Sequence, residues 1–264
     1  MQKGFLIPCP QKYEHICLEN VRQIRKFGCQ SIIEIWEVGQ EISDNTRTAF
    51  KAIENIRFQN VNDYTDKSSY WKGFQIKAFA LYYTKLQECI LCDADVFFYE
   101  NPEQIWYDPH YLETGTYFFR DLETWRFQNL SSSISEHQNK FSSLAFYKKR
   151  KAFILSLLPQ KGPLFPIEWE YLYEEAIPEN VQEALQESGV VYMNNSKQQN
   201  SIEQIFTLNR NYPTTYQYVW GDKETFWIGC LMAGNPFYFN PHPAMIYQEK
   251  LTHTYQNKLF WKQK

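Results

Sequence analysis

The sequence has no apolar run near the ~18 residues that a bilayer-spanning helix requires. It goes from Met1 straight into the short run Phe5, Leu6, Ile7. A leader or membrane anchor is therefore not expected, and a cytoplasmic location is. There is no Lys/Arg stripe either, since 27 basic residues face 30 acidic ones for a formal charge of −3. Without a phosphate-tracking surface, nucleic acid is not an expected partner. The six cysteines are scattered, at positions 9, 17, 29, 89, 92 and 230. A chain of this size needs no staples to fold, which points to free thiols in a reducing setting. Internal repeats, linkers and breaks in composition are missing too, so residues 1–264 read as one domain.

What is present is ample core material, with 44% hydrophobic and 18% aromatic residues. Short apolar runs alternate with amphipathic segments, the pattern of an α/β domain with a mainly parallel central sheet flanked by helices. Phe5–Pro8 and Ser31–Val38 are predicted strands, and Tyr13–Phe27 is a predicted helix closed by Gly28. Over Trp71–Gln87 the residues Phe74, Ala78, Leu81 and Tyr82 form an apolar stripe. Lys77 falls roughly 85° from the centre of that stripe and so borders a buried face. Cys89–Cys92 is a continuous apolar strand whose two cysteines point to opposite faces, which suits packing better than zinc. Asn101-Pro102 opens a short helix to Trp106, and Thr116–Phe119 and Gly189–Met193 are further strands. Asp222 is placed as the cap of a helix to Ala233, with Gly234 just beyond. Asp121–Lys140 is polar and Ser-rich, expected as a surface loop, and Leu251–Lys264 has no clear periodicity.

The main chemical signal is the strand that ends in Asp93-Ala94-Asp95. Open α/β sheets bind ligands at the carboxyl ends of their strands. Two carboxylates one residue apart can hold a hard divalent cation, which neutralises a diphosphate. A polar strand end or an Asx turn is the plain structural alternative. Nucleotide-sugar glycosyltransferases and haloacid-dehalogenase-type phosphatases both use such a motif. The phosphatase pattern wants it on the first strand, with a later Gly-Asp-x-x-x-Asp. Here two strands come earlier, and Gly221-Asp222 is followed at the required position by Phe226.

Several motifs then occur in order: Gly73-Phe74-Gln75-Ile76-Lys77-Ala78-Phe79-Ala80-Leu81, the strand into Asp93-Ala94-Asp95, Asn101-Pro102-Glu103, Thr114-Gly115-Thr116-Tyr117-Phe118-Phe119, and Gly221-Asp222-Lys223-Glu224-Thr225-Phe226. Together they resemble the fungal Golgi-type α-mannosyltransferase family, retaining enzymes with a GT-A (Rossmann-like) fold. The resemblance implies transfer of a hexose from a nucleotide diphosphate sugar donor to a glycan acceptor hydroxyl. It implies GDP-mannose as donor, while related folds use UDP-glucose, UDP-galactose or UDP-xylose.

By the same resemblance, Asp93, Asp95 and His253 hold Mn2+ or Mg2+, and Lys77 and Lys258 meet the diphosphate. Ser188 and Gly189 lie at the donor sugar, with glycine allowing close backbone approach. Asp222 and Lys223 sit near the acceptor or reacting sugar, and Glu187 positions it. Each residue also has a plainer reading: an edge lysine for Lys77, a simple cap for Asp222, an ordinary turn at Glu187–Val191 and a frayed tail around His253. The family's usual N-terminal anchor has no counterpart here, which sets the expected location apart from the Golgi. A glycan-binding protein that kept the fold without catalysis is the reading from another class.

Overall fold

The apolar run Lys3–Pro8 forms β1 at the heart of a sheet in the computed structural model, which describes residues 2–122, 144–157 and 186–263. The chain continues through α1 (Glu14–Lys26), β2 (Ile32–Glu37), α2 (Asp44–Lys51), β3 (Ile56–Asn60), α3 (Ile76–Tyr83), β4 (Glu88–Cys92) and β5 (Val96–Phe98). Next come α4 (Pro109–Thr114), β6 (Thr116–Leu122), α5 (Leu144–Leu157), β7 (Gln186–Asn194), α6 (Gln199–Arg210), α7 (Tyr212–Thr215) and α8 (Thr225–Ala233). The strands β8 (Phe239–Tyr247), β9 (Lys250–Tyr255) and β10 (Lys258–Gln263) end the chain.

Among the described residues the strand order is β3-β2-β1-β4-β7-β6-β8-β9-β10-β5. The four strands β3, β2, β1 and β4 are parallel, as the alternation of strand and helix predicts. Beyond them the sheet is mixed: β7 runs antiparallel to both β4 and β6, and β6 pairs in parallel with β8. The C-terminal strands and β5 close an antiparallel wing.

Both faces of the parallel part are covered, which is why β4 is apolar from Cys89 to Cys92, after Glu88 at its start. Cys89 and Leu91 face one core with Ala78, Leu81, Ile205 and Phe226, while Ile90 and Cys92 face the other with Val21 and Ile24. All six cysteines are buried free thiols. No helix of the described residues is long and apolar enough to cross a membrane.

Several expectations need correction. The helix expected over Trp71–Gln87 is only α3, preceded by a 3-10 turn at Ser68–Trp71. Of its expected stripe, Ala78 and Leu81 are buried, but Phe74 and Tyr82 are 62% and 41% exposed. Lys77 through Leu81 are all buried, since α3 lies between the sheet and α6 and has no wet face along that stretch. Asp222 does not cap α8, which starts at Thr225. The tail without periodicity is the β9–β10 hairpin, turned by Gln256 and Asn257, both in the left-handed region. Of the polar Asp121–Lys140 segment, Asp121 and Leu122 complete β6, and the rest lies outside the described residues.

Candidate active site

Lys77 stands in the first turn of α3, and its ammonium is nearly sealed from solvent, with the side chain 4% exposed. A buried ammonium without partners would be strongly destabilising, so the chain must bring it acceptors. Three segments do so, with four oxygen acceptors. Asp93, just past β4, pairs through Oδ1 at 3.0 Å, and Asp222 pairs through Oδ2 at 2.9 Å. Ser188 of β7 accepts from the ammonium at its carbonyl and its hydroxyl, each at 3.0 Å, and that hydroxyl donates to Asp222 Oδ1 at 3.3 Å. The Asp93 amide donates to the Gly189 carbonyl at 2.9 Å, which locks the end of β4 to β7.

This network explains why Asp222 fails as a cap. Thr225 takes the Asp222 carbonyl through both its amide and its hydroxyl, at 2.9 and 2.7 Å, which leaves the carboxylate for Lys77. Burial works against the charge on Lys77, but Asp222 and Asp93 outweigh it and raise its pKa. Burial lifts Asp93 up to about 7, with repulsion from Asp222 and Asp95 adding and Lys77 opposing. Asp95 and Asp222 are raised as well, burial again being the main cause.

A second cluster adjoins the first. Lys223 Nζ lies 2.6 Å from Glu187 Oε2 and 2.7 Å from Asp121 Oδ2, and Glu187 Oε1 accepts from the Gly189 amide at 2.8 Å. Burial alone would raise Glu187, yet the Lys223 ammonium outweighs it and holds this carboxyl below its usual range. Asp121 goes the other way, up to about 6, because burial and Glu187 together exceed the pull of Lys223. The sequence reading missed Asp121 by assigning it to a loop. The usable signal was the β6 strand continuing past Phe119, in register with Glu187 and Gln186 of β7.

His253 lies within β9, fully buried, and is no frayed end. Neither ring nitrogen has a hydrogen-bond partner among the described residues. Trp261 stacks on it at 4.0 Å between ring centroids, and Phe119 meets it edge-on at 5.3 Å. Burial pushes its pKa down to about 3 against the pull of Glu187, so the imidazole is neutral. A Cβ on Gly189 would come within 3.0 Å of both the Trp261 ring and Gln263 Nε2, so glycine here allows β10 to approach closely. Trp261 thus lies against both His253 and Gly189, whose carbonyl accepts from the Asp93 amide.

Lys258 does not join these groups. It opens β10 beside the exposed hairpin turn, 71% exposed and 3.8 Å from Glu100. The other end of β10, Gln263, pairs with Val96 next to Asp95. Five strand residues, about 16 Å, separate the two ends, so spacing after His253 misplaced this lysine.

The charge balance fits a divalent cation: Asp93 and Asp222 share one ammonium, Asp95 follows two residues on, and repulsion from both neighbours adds to the burial that raises Asp93. The neutral, unpartnered imidazole of His253 has the form a metal ligand takes. Among the described residues, however, no three His, Cys, Asp or Glu side chains converge as a ready metal cage.

A family model described as "Mannosyltransferase putative" matches residues 2–260. The Candida albicans protein MNN15 is 29% identical over 186 residues, covering 68% of this chain and 22% of its own length. The alpha-1,3-mannosyltransferase MNT3 of Saccharomyces cerevisiae is 25% identical over 259 residues, covering 92% of this chain and 40% of its own. The chain thus spans two fifths or less of these curated relatives. Core-mannan synthase A (CmsA/Ktr4) from Aspergillus fumigatus, solved in a Mn/GDP form, superposes with a TM-score of 0.55 at 8% identity, covering 98% of this chain and 76% of that one. That likeness shows the GT-A fold. With the family model spanning nearly all of the sequence, the chain belongs to this family of mannosyltransferases.

Proposed function

We propose that residues 1–264 act as one GT-A domain, a metal-dependent retaining transferase that moves mannose from GDP-mannose to a glycan hydroxyl. The observation that carries this reading is the Lys77 hub, a buried ammonium held at the carboxyl end of β4 by the first aspartate of Asp93-Ala94-Asp95. Family membership, the named activity of yeast MNT3 and the Mn/GDP form of the Aspergillus neighbour support it.

Asp93 and Asp95, with His253 as nitrogen ligand, would hold manganese or magnesium. When bound, the ion supplies Lewis-acid stabilisation of the charge on the leaving diphosphate. Lys77 adds a fixed positive charge from the protein side, already desolvated and oriented, so little reorganisation is needed as phosphate charge develops. Asp222 and Ser188 hold that ammonium in place. Glu187, fixed by Lys223 and the Gly189 amide, keeps its carboxylate ionised and positions the reacting sugar. In front-face transfer the bond from the anomeric carbon to phosphate breaks as the acceptor oxygen bonds to that carbon. The acceptor proton passes to the leaving phosphate oxygen, so no separate base is needed.

Asp95→Ala tests this. It should leave the circular dichroism spectrum and the melting temperature near wild type and lower manganese-dependent transfer by at least about a hundredfold. Undiminished turnover would remove Asp95 from the site.

A further inference from the structure

We propose that Phe74 is the aromatic platform on which the acceptor sugar stacks, an inference that rests on the transferase reading of the same site. Phe74 is 62% exposed, yet it is held in a defined seat. The following residue, Gln75, is buried and donates from Nε2 to the Tyr70 carbonyl at 2.6 Å, which anchors the chain beneath the ring. The Lys77 amide donates to the Phe74 carbonyl at 3.2 Å, so the ring stands one turn ahead of the central ammonium. The ring rests against Gly221. This residue has φ +58°, and a Cβ there would lie 3.0 Å from Phe74 Cδ2. The position needs glycine twice over, for its backbone conformation and for the ring that covers it.

Single exposed phenylalanines are ordinary on protein surfaces. This one packs on Gly221, the residue before Asp222, so an open apolar ring stands next to the segment that pairs with Lys77. That pairing suits a pyranose, whose C–H face packs on an aromatic ring while its hydroxyls reach polar groups at the edge. The side of the site also matters. Lys77 bridges Asp93 and Asp222. With the diphosphate on the Asp93–Asp95 side, the sugar that meets Phe74 on the Asp222 side is the acceptor.

The test uses the whole chain with GDP-mannose, manganese and methyl α-mannoside as acceptor, in wild type, Phe74→Ala and Phe74→Tyr. Phe74→Ala should raise the acceptor KM about tenfold, the loss of one stacking contact. The KM for GDP-mannose and kcat should stay within about twofold, and Phe74→Tyr should restore most of the acceptor KM. Saturation-transfer NMR with methyl α-mannoside needs no turnover; the signal should be present in wild type and lost in Phe74→Ala. An unchanged acceptor KM, a rise confined to the donor KM, or equal NMR behaviour in wild type and Phe74→Ala would overturn the proposal. If wild type turns over no GDP-mannose while Phe74→Ala still loses the mannoside signal, the transferase reading fails and the sugar platform stands.

Discussion

Lys77 shows what single residues decide in this molecule. Its position in the sequence marks it only as the border of an apolar stripe, where a snorkelling lysine would be equally at home. Burial on α3 removes that option, and Asp93, Asp222 and both Ser188 oxygens fill its coordination. Asp93 and Asp95 were legible as candidates because they follow an apolar strand at the carboxyl end of the sheet, where such folds bind ligands. Asp222 was legible as a residue of interest but not in its role, since the choice between capping a helix and pairing a distant lysine depends on tertiary contacts. Lys258 was misplaced because a residue count does not reveal the direction of a hairpin.

Away from the site, Glu34 of β2 is 1% exposed, and its Oε2 accepts from Trp36 Nε1 at 3.1 Å and Thr84 Oγ1 at 2.9 Å. Burial raises its pKa against those bonds. An acid with a raised folded pKa contributes stability that is full below its unfolded pKa and is lost as pH rises through the folded value. Glu34→Gln keeps the acceptor oxygen and removes that loss. Its melting temperature should exceed wild type at pH 8, with the difference shrinking toward pH 4. A difference independent of pH would contradict the assignment.

At the scale of elements, helices α6 and α8 pack through Gly229. A Cβ there would collide with Ile205 Cγ1 and come within 3.0 Å of the Ile205 backbone nitrogen. Backbone cannot swing aside as a flexible side chain can. Gly229→Ala should therefore destabilise by about 2 kcal/mol despite alanine's better helix propensity. Urea unfolding reads this directly, and stability at or above wild type would mean that the two helices separate freely. Elements with a strong local pattern were legible: β1, β4, α1 and the Asn101 cap, which accepts from the Glu103 amide at 2.8 Å. The β9–β10 hairpin was not, because Gln256-Asn257 makes its tight turn without glycine and both strands mix buried and exposed positions irregularly.

For the whole molecule, the arrangement follows from one sheet covered on both faces. The covering keeps β4 apolar from Cys89 to Cys92, and two acids follow where it leaves the sheet. There Asp93 meets β7, which runs antiparallel and brings Glu187, Ser188 and Gly189 to the same end. The antiparallel wing adds His253 and Trp261 from the end of the chain. The site thus gathers residues from near 77, 93, 187, 222 and 253, a convergence that only the folded topology supplies.

A ligand that binds only the folded state raises its apparent stability, by about 2.7 kcal/mol at a hundred times its dissociation constant. Melting temperatures of the whole chain should be measured with GDP-mannose, UDP-glucose, UDP-galactose and UDP-xylose, each with manganese and with EDTA. GDP-mannose should raise the melting temperature when manganese is present, and EDTA should abolish that shift. No shift with any of the four donors would contradict the proposed function, and a shift confined to a UDP-sugar would keep the metal site while replacing the donor.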